Sequence, residues 1–318
     1  MANPDPREPY EGTGERGKEA RLRHLPLLRL RLPRDLLGSR YRSERAVRKA
    51  SAHSDRVPQR LSDDGKLYHR PSQSPCHRGN RMDETMTLYF IQHSCYLVEG
   101  SNSFYLFDYF GEGDPHTVLS KAPEKPLYIL TTHSHHDHYS PTVFKEFGGR
   151  ELHYIFHSEL RDKVPSDQLC KVHFLETGES YEDNHLWVKA FGSTDVGGSF
   201  YCKVEGLSLF HAGDLNNWHW NEEADDRYIR QYEAAWQAEL TRLTAEVTQL
   251  DLLMFPTDLR LGKDYLKGLR ELLGLISIRH LAPMHLNGQL NPSELEALAR
   301  QHHFNLLLPQ PLTARQLL

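Results

Sequence analysis

Apolar and polar positions change texture near residue 87. Upstream, apolar residues show little periodicity, whereas from Thr87 onward short apolar runs alternate with polar turns. Leu88 to Val98 and Phe104 to Phe110 read as two β-strands joined by a turn at Glu99-Gly100-Ser101-Asn102. Leu127 to Leu130 is a continuous apolar run, the pattern of a strand buried on both faces. Leu152 to Phe156, Val172 to Leu175, Leu186 to Phe191, Phe200 to Val204 and Leu207 to His211 continue the strand series, followed later by Leu252 to Phe255, His280 to Pro283 and Phe304 to Leu308. Ser140-Pro141 predicts a helix running through Phe147, with serine as N-cap and proline at the first helical position. The longest helical pattern covers residues 222–248. There Ile229, Tyr232, Trp236, Leu240, Leu243 and Val247 recur at steps of three and four, a stripe for core packing or, alternatively, a dimer face. Shorter helices are expected at Tyr265 to Leu273 and Ser293 to Arg300. Strands in two groups with helices interspersed predict an α+β fold of two packed sheets with helices outside, and no internal repeat is visible.

Charge divides the chain at the same place. Residues 1–81 carry 19 Lys and Arg against 10 Asp and Glu, so the remaining 237 residues hold a net charge of −14 within the overall −5. The first segment is rich in Arg, Pro and Ser and has too little apolar surface to offset its ordering entropy, so it reads as a disordered basic extension. Two origins are open: an arm that touches nucleic acid or an acidic partner, or upstream sequence that is not native to the protein. Met82 and Met86 precede the first strand pattern, which puts the domain at 82–318. No apolar run approaches the roughly 18 residues of a membrane span. The stretch Leu25 to Leu32 is broken by Arg29 and Arg31 and does not make a signal peptide, so the reading is a soluble, cytoplasmic protein. Four cysteines in 318 residues do not make a disulfide framework, and Cys95 and Cys202 read as buried thiols.

Twenty histidines are less informative than the placement of a few. His133-Ser134-His135-His136-Asp137-His138 follows the buried run ending in Leu130-Thr131-Thr132, giving the spacing His-x-His-x-Asp-His. Imidazoles and a carboxylate so closely spaced on a loop suit a borderline metal such as zinc, and the end of a strand holds such a loop rigidly.

With this motif the sequence resembles the metallo-β-lactamase superfamily, and within it the lactonase-like and tRNase-Z-like branch of stand-alone hydrolases. The resemblance covers Thr87 to the C-terminus and none of residues 1–81. It implies a four-layer αββα sandwich with a metal site at one edge of the sheets, holding one or two divalent ions. Zinc is the first expectation, with manganese or iron as alternatives. By the resemblance His133 and His135 bind one metal, and Asp137 and His138 bind the second. His211-Ala212-Gly213-Asp214 and Pro283-Met284-His285 match two further motifs, making Asp214 the bridging carboxylate and His285 the final histidine ligand. His93 matches a histidine near the metals and is also a candidate for the substrate pocket. Asp108 matches an aspartate that orients a ligand histidine. The chain departs from the family in the loop Gly192-Ser193-Thr194-Asp195-Val196-Gly197-Gly198, which lacks the usual histidine. Asp195 is the strong anionic donor there and is expected to serve as a ligand of the first metal.

Beside these, Trp218 and His219 either line a substrate pocket or pack their loop, and Asp258 and Arg260 either grip a polar substrate group or pair with each other. The leading expectation is a metal-dependent hydrolase in which two ions about 3.5–4 Å apart activate a water, with Asp137 and Asp214 as the catalytic carboxylates. A small-molecule ester, lactone or phosphoester is the expected substrate. A ribonuclease or phosphodiesterase is the alternative, disfavoured by the −14 charge. A non-catalytic metal-binding protein of the same fold ranks last. The membrane is excluded as a partner, and a homo-oligomer is left open.

Overall fold

The computed structural model describes residues 86–317. The basic extension and the boundary at Met82 therefore lie outside the described residues.

Two seven-stranded sheets are present among the described residues. The first is built from β1 (Thr87–Gln92), β2 (Cys95–Glu99), β3 (Phe104–Phe107), β4 (Leu127–Thr131), β5 (Leu152–His157) and β6 (Val172–Leu175), with β14 (Arg315–Gln316) at its edge beside β1. The second runs in the order β13 (Asn305–Leu306), β12 (Ser277–Met284), β11 (Gln249–Pro256), β10 (Leu207–His211), β9 (Ser199–Val204), β8 (Trp187–Phe191) and β7 (Ser180–Glu182). β3 to β6 are parallel, as are β10 to β13, and the remaining pairs described here are antiparallel.

Side-chain alternation explains the layers. On β3, Tyr105 and Phe107 join the large core that also contains Val188, Phe200, Cys202 and Leu209 of the second sheet. Their neighbours Phe104 and Leu106 point to the opposite face. There they pack with Val118 and Leu119 of α1 (His116–Leu119) and Val143 and Phe147 at α2 (Val143–Glu146). All five residues of β4 are buried, which is why its sequence does not alternate. Over the second sheet lies α3 (Asp226–Thr244), whose Tyr232, Trp236, Leu240 and Leu243 are buried in the large core. With α4 (Lys267–Leu273) and α5 (Pro292–His302), this gives the αββα order. No helix among the described residues is long and apolar enough to cross a membrane.

Some sequence expectations change. The run Leu88 to Val98 is not one strand but an antiparallel hairpin, broken at His93-Ser94, with Phe90 paired to Tyr96. Periodicity alone does not reveal the break, because both arms are apolar. The helix expected from Ser140 is a single turn. Thr142 takes the N-cap position without a side-chain cap bond, while Ser140 Oγ accepts from Thr142 N at 3.3 Å. The long helix stops at Thr244, so Val247, the last member of its apolar stripe, packs from the following loop. The final strand shortens to Asn305–Leu306, and Arg315–Gln316 adds an edge strand that the sequence pattern did not show.

Candidate metal centre

The chemistry-bearing residues gather where strands end. β1, β3, β4, β8, β10, β11 and β12 all run into loops that carry them: His93, Asp108, His133 to His138, Asp195, Asp214, Asp258 and His285 respectively. Placement beyond the carboxyl ends of strands is the general position for ligand sites in open α/β sheets. Three of these residues, His93, Asp108 and His285, have φ of 53°, 46° and 59°. Non-glycine residues in the left-handed region cost backbone energy and persist where the surroundings over-determine them. Gly213 also has a positive φ, 55°, and a Cβ there would lie 2.7 Å from Gly198 O and 2.8 Å from Thr132 Oγ1. Glycine at this position lets the Gly-Asp loop of one sheet lie against the first metal-motif strand of the other.

Asp214 is the centre of the arrangement. Its Oδ2 lies 3.2 Å from His133 Nε2 and 3.8 Å from His135 Nδ1. Its Oδ1 lies 3.0 Å from His138 Nε2 and 3.4 Å from His285 Nε2. One carboxylate thus faces two separate sets of imidazoles with its two oxygens. On the second side, His93, Asp137, His138 and His285 bring four donor atoms within 4.8 Å of one another; on the first, His133, His135 and Asp214 do the same with three.

The histidine tautomers are set by buried partners. Asp108, fully buried, accepts from Thr132 N at 2.8 Å through Oδ1, and its Oδ2 lies 2.7 Å from both Thr132 Oγ1 and His138 Nδ1. His138 therefore donates from Nδ1 and turns Nε2 toward Asp214. With its own proton given to Asp108, Thr132 Oγ1 accepts from His133 Nδ1 at 2.9 Å, which frees His133 Nε2 in the same way. On the other side Asp258 accepts from His285 Nδ1 at 2.9 Å. Carboxylate–histidine pairs of this kind orient metal ligands. Glu159 anchors the motif loop itself, accepting from Ser134 N at 2.9 Å and from Ser134 Oγ at 2.8 Å.

Charge follows geometry. Burial alone would raise Asp214, but His138, His285 and His133 hold it well below the ordinary carboxylate range. Burial likewise opposes a charged His138, yet Asp214 and Asp108 push its pKa well above that of free imidazole. The donor set fits divalent ions by an independent sign: His138 Nε2, His93 Nε2, Asp214 Oδ1 and Asp195 Oδ1 are buried without a hydrogen-bond partner. Buried polar atoms normally have one, and orphans among or beside the two donor groups are what cations would satisfy.

The outcome for the other sequence candidates is mixed. Asp137 Oδ2 faces His93 Nε2 at 3.4 Å, which brings His93 to the ligand cluster rather than to a substrate pocket. Asp195 is half-buried and stands beside His133, His135 and Asp214 without entering that tight trio. Burial and the neighbouring Asp214 raise its pKa. Thr194, the preceding residue, stitches its loop to the one after Asp214: Oγ1 donates to Asn216 O and accepts from Asn216 N. His219 does not line a pocket. It is fully buried, its Nε2 donating to Asp264 O at 3.1 Å and its Nδ1 accepting from Asn221 N at 3.1 Å. Trp218 is also buried. Its Nε1 donates to Asp214 O at 2.7 Å and its ring meets His285 edge-on at 5.3 Å, so it packs the metal loop. Asp258 is 2 % exposed and committed to His285 and Arg260, which makes it a positioning residue rather than a substrate contact. Arg260 pairs with it, but half of the Arg260 side chain reaches solvent.

Thr132, Glu159 and the role of Asp258 were not read from the sequence. Asp258 had a signal, since it follows a buried strand as Asp108 does. Thr132 and Glu159 had none, because their partners are fixed only by folding. Replacement of Asp108 by asparagine is expected to weaken metal binding about 10- to 100-fold. Competition against a chromogenic chelator measures this, and wild-type affinity in the variant would remove Asp108 from its positioning role.

A family model described as a β-lactamase superfamily domain matches residues 87–226. A UPF0173 metal-dependent hydrolase of Carboxydothermus hydrogenoformans is 27 % identical over 216 residues, covering 64 % of this chain and 85 % of its own length. One of the same description from Lysinibacillus sphaericus is 32 % identical over 144 residues, 41 % of this chain and 63 % of its own. Among solved structures, a metallo hydrolase of the archaeon Ignicoccus hospitalis superposes with a TM-score of 0.53 at 15 % identity, over 73 % of this chain and 98 % of that one.

Proposed function

We propose that this chain, which is similar to β-lactamase superfamily domains and to metal-dependent hydrolases, is itself a metal-dependent hydrolase that cleaves a small ester, lactone or phosphoester at a two-ion centre, with zinc as the first expectation. The observation that carries this reading is the division of Asp214, whose two oxygens face separate histidine sets. His133, His135 and Asp214 would hold one ion, and Asp137, His138, His285 and Asp214 the other, with His93 beside them. When bound, such ions supply Lewis acidity toward the substrate oxygen and make water nucleophilic near neutral pH.

The chain's own groups complete the chemistry. Asp108 and Asp258 keep the imidazoles of His138 and His285 in the tautomer that points Nε2 inward. Asp137 is the partly exposed carboxylate of the cluster: Oδ2 faces His93, while Oδ1 lies toward the exposed His136. From there Asp137 Oδ1 can pass a proton between the site and solvent. The test is turnover by the metal-loaded chain on a panel of small esters, lactones, phosphoesters and RNA, with and without chelator. Chelator-sensitive turnover of a small substrate supports the reading. Turnover confined to RNA replaces it with the ribonuclease alternative, and undiminished turnover by metal-free protein overturns it.

Asp195 belongs to the same proposal as the ligand that stands where the family's histidine is missing. Its support is the partnerless buried Oδ1 next to His133 and His135. Zinc–carboxylate and zinc–imidazole bonds are similar in length, about 2.0–2.2 Å, so aspartate can serve if its loop comes close enough. Elemental analysis is expected to show Asp195→Ala losing about one metal per chain and Asp195→His retaining it. Unchanged stoichiometry in the alanine variant would rule the ligand role out.

A further inference from the structure

We propose that Arg260 is an anion-recognition residue at the mouth of the metal centre, selecting substrates that carry a phosphate or carboxylate group away from the bond being cleaved. This deepens the hydrolase reading and rests on it insofar as the bound anion belongs to a substrate. The argument begins with the way the guanidinium is held. Asp258, its side chain 1 % exposed, takes the side-on edge of the fork: Arg260 Nε lies 3.0 and 2.8 Å from its two oxygens, and Nη2 donates to Oδ2. The same Oδ2 accepts from His285 Nδ1. One buried carboxylate oxygen therefore connects the guanidinium to an imidazole of the metal centre, which fixes the distance between the positive charge and the reacting region.

Asn287 adds to the held side, its amide oxygen accepting from Nε at 3.0 Å and from Nη2 at 3.3 Å, so the Nη1 corner of the guanidinium is what is left over. Nη1 makes no protein hydrogen bond among the described residues, and the side chain is 53 % exposed. An arginine has five N–H donors in a rigid fork, and the pair on Nη1 can meet the oxygens of a phosphate or carboxylate. A purely structural role for Arg260 does not need that corner. Asp258 is already satisfied by His285 and by the backbone N–H of Arg260, which donates at 2.9 Å. The charge is also firmly kept: burial works against it, but the Asp258 hydrogen bonds, with Asp137 and Asp214 nearby, raise the Arg260 pKa. Holding a long, charged side chain in one orientation beside a reaction centre lowers the ordering cost of binding an anion there.

The experiment uses the metal-loaded full chain as wild type, Arg260→Met and Arg260→Lys. Titration calorimetry with inorganic phosphate and with acetate tells the two anion chemistries apart without requiring turnover. The preferred anion is expected to bind roughly 10- to 100-fold more weakly to Arg260→Met, with Arg260→Lys between. Equal affinities in wild type and Arg260→Met, for both anions, would show that anions bind at the metals alone and would overturn the proposal. Kinetics on nitrophenyl esters whose acyl tails end in methyl, carboxylate or phosphate gives the second readout. KM for the anionic member should rise at least about tenfold in Arg260→Met, while kcat and the neutral ester stay within about threefold. Equal losses for neutral and anionic esters would mean that Arg260 acts only through Asp258 and His285. Arg260-dependent anion binding in a protein that hydrolyses none of the esters would keep the anion site and reject the ester reading. Hydrolysis without any dependence on Arg260 would do the reverse.

Discussion

Replacing Asp214 by alanine is expected to lower turnover by at least about 10³-fold and to leave the chain with less than one bound ion. The size of the effect follows from the position of the side chain. Its two oxygens lie between 3.0 and 3.8 Å from donor nitrogens of His133, His135, His138 and His285. Losing it removes one oxygen donor from each side of the centre and leaves four imidazoles facing each other without an anion between them. Asp214→Asn separates charge from shape. An amide keeps the volume but offers only one oxygen and no charge, so one side should lose its ion and the other should keep it weakly. Elemental analysis and turnover on the same preparations check both variants. An alanine variant with wild-type metal content and turnover within tenfold would show that the ions are held elsewhere.

The first group of candidate metal donors was legible because its chemistry is local. His133, His135, Asp137 and His138 fall within six residues after a buried strand, and a strand end fixes where such a loop must lie. Asp214 and His285 were legible only through resemblance: each is a single residue after a strand, and nothing nearby in sequence marks it as a ligand. Folding brings them to the first motif because β10 and β12 end at the same edge as β4. The two-sheet architecture could be read from strand runs, but the hairpin at His93-Ser94 could not. A turn with two apolar arms leaves no polar gap, and the positive φ of His93 is a tertiary demand rather than a propensity.

The readings left open by the sequence share a physical cause. His219 and Trp218 follow Asp214 closely, and sequence proximity to a ligand suggested a pocket wall. In the folded chain both are buried and each donates one ring N–H to a backbone carbonyl, so they pack the loop. Asp258 and Arg260, two residues apart, were ambiguous because pairing and substrate contact use the same groups. The structure answers differently for the two: the carboxylate is enclosed, while the guanidinium is half open. Burial, which sequence does not give residue by residue, decides such cases.

Stripping the metal should also cost the fold a large part of its thermal stability. His133, His138 and Asp108 have no exposed side-chain surface, and Asp214 has almost none. Without ions the inward-facing atoms of His133, His138 and Asp214 are compensated mainly by one another and by protons. An ion that binds the native state and not the unfolded one contributes about 4 kcal/mol at a thousandfold excess over its dissociation constant. For a domain of this size each kcal/mol moves the midpoint by roughly 2–4 °C, so removal of one tightly held ion should lower it by about 8–16 °C. The increment should depend on pH with a definite sign. His138 and His135 both have raised pKa values in the metal-free protein, so at lower pH each holds a proton that metal binding must displace. The gap between loaded and chelator-treated protein should therefore widen as pH rises through the raised pKa values of these histidines and narrow as pH falls below them. Thermal unfolding of both forms across that range measures it. Midpoints that coincide within about 2 °C at pH 8 would mean that this cluster does not hold an ion tightly, whatever its geometry.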